Sequence, residues 1–462
     1  MLAAGGALAL ARWRSFAGGA GDGARAAPVA PAARADRPDV LLVTVDTLRA
    51  DHVGAYGYAR ATSPHLDALA RQGALFEVAY SPMGATGPAH ATLFTSRQPI
   101  AHGVGRNGVP LPDDLPTLAG LLTAAGYRSA AFVSAFPVAS RFGFGRGFEH
   151  YDDAFGPSGG TVSWRRRWRR RGATGAFDRR GAETVDRALA WLGASARDRP
   201  RFLWVHLFDP HEPYDAPAPW DRAFARPDAA TRERAIDAYD GEILYADAQL
   251  GRLIAAFDAL APGGLLVLAA DHGEGLWDHG VAHHGRTLFE EEVRVPLVVR
   301  WPGRVAAGAR VPQPAHLIDV LPTIAGAAGV AIAGGGARFD GVDLIAALAS
   351  GPPLDAARPI QLQLPFAGAE SDARSRRPSF GLRAGDWKLV EPRRPGAPAL
   401  FDLRTDPRER SDVAGREPAR VAEMEAALAR WRDAELAAGG GRAAPDIPAD
   451  VRRSLRALGY AD

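Results

Sequence analysis

The chain has 462 residues, 47% of them hydrophobic and 23% charged, with a formal net charge of +2. That length holds one large domain and a smaller one, since single cores stop growing at roughly 250–300 residues, and so even a charge balance argues against dedicated nucleic-acid binding. The absence of cysteine excludes disulfides, thiolate metal sites and a cysteine nucleophile.

Residues 1–37 read as a leader and linker. A short apolar run from Leu2 to Leu10 precedes Arg12 and Arg14, whereas a secretory signal places its positive charges first. No segment reaches the roughly 18–20 apolar residues of a membrane span. Order begins near residue 38. VLLVTVD (40–46) has the continuous apolar pattern of a buried strand and ends in Asp46. Residues 63–73 predict a helix, with Ser63 and Pro64 at its start and Gly73 at its stop. Residues 74–82 read as a strand, and 83–99 as a turn entering a helix near Pro88. A helix at 118–125 and a strand at 127–135 lead to an insertion, 143–175, rich in Gly, Arg and aromatics. Then follow helix 181–196, strand 201–209, a long helix 236–260, a strand starting at Leu265 and a strand at 295–303.

Strands alternating with helices predict an α/β fold: a largely parallel central sheet with helices on both faces. Three strands end in acidic or His residues, namely Asp46, Asp209 with His211, and Asp271 with His272. Open α/β sheets bind ligands at their carboxyl edge, so these side chains should converge. After residue 334 the pattern changes to two short strands, 382–392 and 399–407, and a helix, 417–436. The expected domains are a catalytic unit at 38–333, a C-terminal α+β unit at 334–440 and a tail at 441–462.

The chemistry concentrates in LVLAADHGEGLWDHGVAHHG (266–285 with Leu265 leading), where His272, His279, His283 and His284 account for four of the chain's 12 His. Asp271 and His272 at a strand end suit hard or borderline divalent metals. Thr86, in GATGPAH, precedes a helix. It reads as an ordinary N-cap, or as a hydroxyl at an anion-binding helix start that a metal could activate.

Taken together the motifs resemble the sulfatase family of the alkaline phosphatase superfamily. The matching pieces are VTVDTLRADHVGAYGY, ATSPHLDALARQG, TGPAHATLFTSRQP, HLFDPHEPY, GEILYADAQLG, LAADHGE with HHG, RVPLVVRWPG, GLRAGDWKLV, LFDLRTDPRER and LRALGY. The resemblance implies an alkaline-phosphatase-like fold and a divalent metal ion, Zn, Mn, Mg or Ca, with one or two per site. It implies metal ligation by Asp46, Thr86, Asp271 and His272, with His211 and His284 across the substrate, binding the leaving-group side or a second metal. Asp209, His279 and His90 are weaker candidates for a second metal or for substrate, and Asp209 has the alternative of orienting His211. Arg49 and Asn107 are further substrate-contact candidates.

The departures are as informative. The family's Cys or Ser, oxidised to formylglycine in C/S-x-P-S-R, is replaced here by Thr86, and the family's Arg by His90. Threonine cannot become formylglycine, because its β-carbon carries a methyl group. The usual pair of adjacent Asp is Asp46–Thr47, and the only lysine, Lys388, lies in the C-terminal unit in a strand-like setting. The expected activity is therefore hydrolysis of small anionic phosphate (mono- or di-) or phosphonate esters through Thr86 and a covalent phospho-threonine intermediate. The alternatives are a sulfuric ester hydrolase working without formylglycine, a phospho-group transferase, and an inactive anion-binding module. The segment WRRRWRRR (164–171) reads as a solvated insertion, or as a patch for an anionic surface. The resemblance favours a periplasmic or extracellular location.

Overall fold

The protein is represented by a computed structural model that describes residues 37–155, 178–332, 337–349, 354–364, 379–392, 396–442 and 447–457. The leader and the 164–171 segment lie outside the described residues. In chain order the strands of the larger unit are β1 (Val40–Val45), β2 (Ala74–Phe76), β3 (Ala79–Tyr80), β4 (Arg128–Val133) and β5 (His150–Asp152). They continue with β6 (Arg201–Leu207), β7 (Leu265–Ala270), β8 (Leu297–Arg300), β9 (Ala309–Val311) and β10 (Ala315–His316). Eight of them form one sheet in the order β5-β4-β6-β1-β7-β8-β2-β9, while β3 and β10 pair separately.

Strands β1, β6 and β7 are buried at every residue, which is why their sequences are continuously apolar rather than alternating. Helices Thr86–Thr95, Leu118–Ala124 and Val320–Ala327 contact one another in one layer. Helices Pro64–Gln72, Gly181–Ala194 and Thr231–Leu260 make the other. Trp204 of β6 is fully buried and packs edge-on against Phe94 of the first layer.

Several expectations need correction. The stretch 74–82 is two short strands rather than one. The insertion at 143–175 contributes β5, which extends the sheet beside β4. Strand β8 runs antiparallel to both neighbours. The long connection between β7 and β8 contains only short helical turns, Asp278–Gly280 and Glu290–Val293, and no crossover helix of the kind that usually returns a chain for parallel pairing.

The C-terminal sheet has four antiparallel strands, β11 (Ile360–Gln363), β12 (Phe380–Ala384), β13 (Trp387–Val390) and β14 (Ala399–Asp402). The expected single strand at 382–392 is a hairpin. Ala384 pairs with Trp387 across Gly385 and Asp386, and Gly385 takes φ 59, which a residue with a β-carbon rarely adopts. Helix Pro418–Ala437 places Met424 and Leu428 on this sheet, against Phe380, Leu382, Leu389 and Leu400. The tail contains a further helix, Ala449–Ala457, whose Val451 and Leu455 join the core of the larger unit.

Candidate active site

The parallel register of β1 with β6 and β7 pairs Val45 with both Leu207 and Ala270. Asp46, Asp271 and His272 therefore leave the sheet at one edge. The chain turns sharply after Asp46, with Thr47 at φ 54, a conformation that costs a β-branched residue free energy and persists only where the surroundings impose it. The surroundings here are Asp271 Oδ1, which accepts from the Thr47 amide at 3.2 Å, and the Tyr239 hydroxyl, which donates to the Thr47 carbonyl at 2.6 Å.

Thr86 is the first residue of helix Thr86–Thr95, and Ala85 takes the N-cap position. The structural N-cap role thus falls to a neighbour. The Thr86 hydroxyl instead donates toward Asp46 Oδ2 at 3.4 Å and lies 3.4 Å from His272 Nε2. His272 Nδ1 donates to the Gly273 carbonyl at 2.9 Å, which fixes the tautomer and leaves the Nε2 lone pair facing Thr86. Nε2 is 3.6 Å from Asp46 Oδ1 and 3.6 Å from Asp271 Oδ2.

Burial pushes the Asp46 carboxyl up to about 7, with the charge of Glu274 adding and the His272 imidazole opposing. Asp271 is raised by burial and by Asp46. Asp46 Oδ1 and Asp271 Oδ2 are buried without a hydrogen-bond partner among the described residues. Two such carboxylates are costly in the absence of a cation. Asp46, Asp271 and His272 each offer a ligand atom, all within 4.8 Å of one another. The donor set fits a divalent cation.

His211 and His284 come to the same place. The His284 ring lies 4.4 Å from that of His272 and 5.0 Å from that of His211. His284 Nδ1 is 3.3 Å from Glu274 Oε1, and Glu274 Oε2 accepts from the Tyr214 hydroxyl at 3.2 Å. His211 stacks on Phe208, with Nδ1 2.6 Å from the Glu212 carbonyl. Burial holds both imidazoles well below the usual His range, so both are neutral.

Other candidates are held elsewhere. Asp209 accepts from Arg180 Nη1 at 3.0 Å and from the Gly181 amide at 2.8 Å, so it anchors the start of helix Gly181–Ala194. It is absent from the carboxylate and imidazole clusters that could hold a metal among the described residues. We expect Asp209→Ala to keep its metal content but to lose about 3 kcal/mol of stability, because buried Arg180 loses one of the two carboxylates, Asp209 and Glu242, that answer its charge. Metal analysis together with denaturant unfolding checks this. His279 pairs with Glu291 at 2.7 Å, lies 3.0 Å from the Glu409 carbonyl and stacks on Phe289. Its role is to join the loop to the C-terminal unit. Arg49 binds Asp51, Asp278 and the Glu274 carbonyl. Asn107 Oδ1 accepts from the Gly87 amide at 2.7 Å. His90 sits one turn along from Thr86, with Nδ1 donating to the Thr86 carbonyl and Nε2 3.0 Å from Thr44 Oγ1.

His206 is the residue the sequence reading passed over. It is fully buried on β6, with Nε2 3.5 Å from Asp46 Oδ2. It forms a second cluster of possible metal donors with His90 and Asp271.

The family pattern described as Sulfatase matches residues 38–330, well over half of the chain. The chain belongs to the sulfatase family. A second pattern, N-sulphoglucosamine sulphohydrolase, C-terminal, matches residues 278–433 of this sulfatase-family chain. It is 24% identical to an ulvan-active sulfatase of Formosa agariphila over 82% of this chain and 78% of that one. It is 26% identical to a choline-sulfatase of Rhizobium meliloti over 87% and 86%. In fold it is similar to the phosphonate monoester hydrolase of Agrobacterium radiobacter, with a TM-score of 0.70 at 24% identity over 86% and 96% of the two chains. The protein is a sulfatase-family ester hydrolase with an alkaline-phosphatase-like fold.

Proposed function

We propose that this sulfatase-family hydrolase cleaves phosphate or phosphonate esters with Thr86 as nucleophile. The observation that carries this reading is the Thr86 hydroxyl, 3.4 Å from both Asp46 Oδ2 and His272 Nε2 at the carboxyl edge of the sheet. Asp46, Asp271 and His272 would hold a divalent cation, which when bound would supply positive charge beside Thr86, favour its ionised form and offset the charge of the ester. Thr86 Oγ1 attacks phosphorus and forms an O–P bond as the bond to the departing oxygen breaks. His284, oriented by Glu274, and His211 beside it flank the departing oxygen as neutral imidazoles and relay to it the proton that Thr86 gives up. Water then attacks the same phosphorus, releasing Thr86 and the free phosphate or phosphonate. A hydrolase of a phosphonate monoester is built on the same fold, so the scaffold accommodates chemistry at phosphorus.

A second reading, hydrolysis of sulfate esters without formylglycine, draws on the names of the ulvan-active and choline sulfatases. Turnover of matched aryl phosphate monoester, phosphodiester, phosphonate and sulfate esters by the metal-loaded enzyme separates the two. Preference for a phosphorus ester by at least tenfold is expected, and preference for the sulfate ester overturns the proposal. Transfer to an added alcohol in place of water would reveal a transferase, and no turnover with no bound metal an inactive binding module. Family membership supports a periplasmic or extracellular location, and among the described residues no helix is long and apolar enough to cross a membrane.

A further inference from the structure

His206 has no counterpart among the ligands that the sequence comparison implies. Its ring is completely buried, and neither nitrogen has a hydrogen-bond partner among the described residues. Leaving a buried polar group unpaired costs about 1–3 kcal/mol, so an imidazole in this state calls for an explanation. Its surroundings supply one. Alternation along β6 puts His206 on the same face as Trp204, under helix Thr86–Thr95, and its register partner on β1 is Thr44. Nε2 lies 3.5 Å from Asp46 Oδ2. Asp271, whose Oδ2 also has no hydrogen-bond partner among the described residues, is shared between the donor group of His206 and His90 and that of Asp46 and His272.

His90, the other imidazole at hand, is differently placed. Both its nitrogens are engaged, by the Thr86 carbonyl and the Thr44 hydroxyl. Its ring stands edge-on to His206 at 5.0 Å, and so buttresses His206.

We infer that His206 is a nitrogen ligand of the same metal centre, completing a two-carboxylate, two-imidazole set of Asp46, Asp271, His272 and His206 beside Thr86. This rests on the metal site of the proposed function. Two imidazoles shift the preference from calcium and magnesium, which favour oxygen donors, to zinc or cobalt.

The test uses the full chain loaded with cobalt(II) or zinc. X-ray absorption of the zinc-loaded wild type should show two imidazoles at the metal, and a single one would overturn the inference. His206→Gln should weaken zinc binding by at least about tenfold and alter the visible spectrum of the cobalt form, with thermal unfolding of the loaded protein confirming that the fold survives. An unchanged cobalt spectrum and unchanged zinc affinity would make His206 a packing residue against Trp204. Calcium binding more tightly than zinc would likewise overturn the inference. Asp271→Asn is the control: if it leaves metal binding intact, the metal site of the proposed function fails, whereas an effect of Asp271→Asn alone removes only the role of His206.

Discussion

Thr86→Ala is expected to lower kcat/KM for the best phosphorus ester by roughly 10³-fold or more, equivalent to about 4 kcal/mol of transition-state stabilisation. Among the described residues, the substitution removes the one hydroxyl that reaches both Asp46 and His272. The Cα position stays helical, as Ala suits a first turn no worse than Thr. The fold and most of the metal affinity should therefore survive, and metal analysis of the variant shows whether they do. Thr86→Ser restores the hydroxyl but loses the methyl that stiffens χ1, so we expect it to keep activity within about tenfold to a hundredfold of wild type. A Thr86→Ala enzyme with unchanged phosphoesterase activity would remove Thr86 from the chemistry altogether.

Lys388→Met should be the most destabilising single change outside the site, by about 3–5 kcal/mol. Lys388 is fully buried on β13, with Nζ 2.9 Å from Glu290 Oε1 and 3.0 Å from Glu409 Oε1. Glu290 also accepts from the Tyr80 hydroxyl, and its amide donates to Glu409 Oε2 at 2.7 Å. Removing the ammonium leaves two facing carboxylates without the one cation that contacts both of them, while Arg294 and Arg383 still act on Glu290. Even with Lys388 present, burial and the Glu290 charge hold the Glu409 carboxyl up at about 7. Without Lys388 that carboxyl rises further, so the folded variant binds a proton the unfolded chain gives up near the ordinary Glu value. A raised folded-state pKa means stability is lost as pH rises. The gap between variant and wild type should accordingly narrow from pH 8 toward pH 5, as read by urea unfolding at each pH. A gap that widens on acidification would show that the pair is not the source of the loss.

The positions of Asp46, Thr86, Asp271 and His272 were legible because each ends an apolar run or begins a helix, and parallel strands deliver their ends to one edge. Orientation was not legible. His206 sits in RFLWVHL, where every residue is buried, so the run gives no alternation to say which face each side chain takes. Only the register with β1 puts it beside Asp46. His279 misled in the opposite way, since it belongs to a His-rich loop but turns outward at φ 50 to meet Glu291. Arg49 and Asp209 carry charge near the site in sequence, yet each is engaged by a partner distant in sequence, Asp278 and Arg180 respectively. The reversal of β8 after a long connection and the tight hairpin at Gly385 appear only when neighbouring strands are known.

The turn Glu290–Val293 distributes three consecutive carboxylates. Glu290 goes to Lys388, Glu291 to His279, and Glu292 to the amides of Arg286 and Thr287 just beyond His284. The main chain of the same turn receives the amides of Gly273 and Glu274, next to His272. A chimera in which the C-terminal sheet came from a relative with an uncharged residue at the Lys388 position would inherit an unanswered acid on the other side of the junction. Recombination breakpoints within this protein are therefore best placed so that Glu290, Lys388 and Glu409 come from one parent.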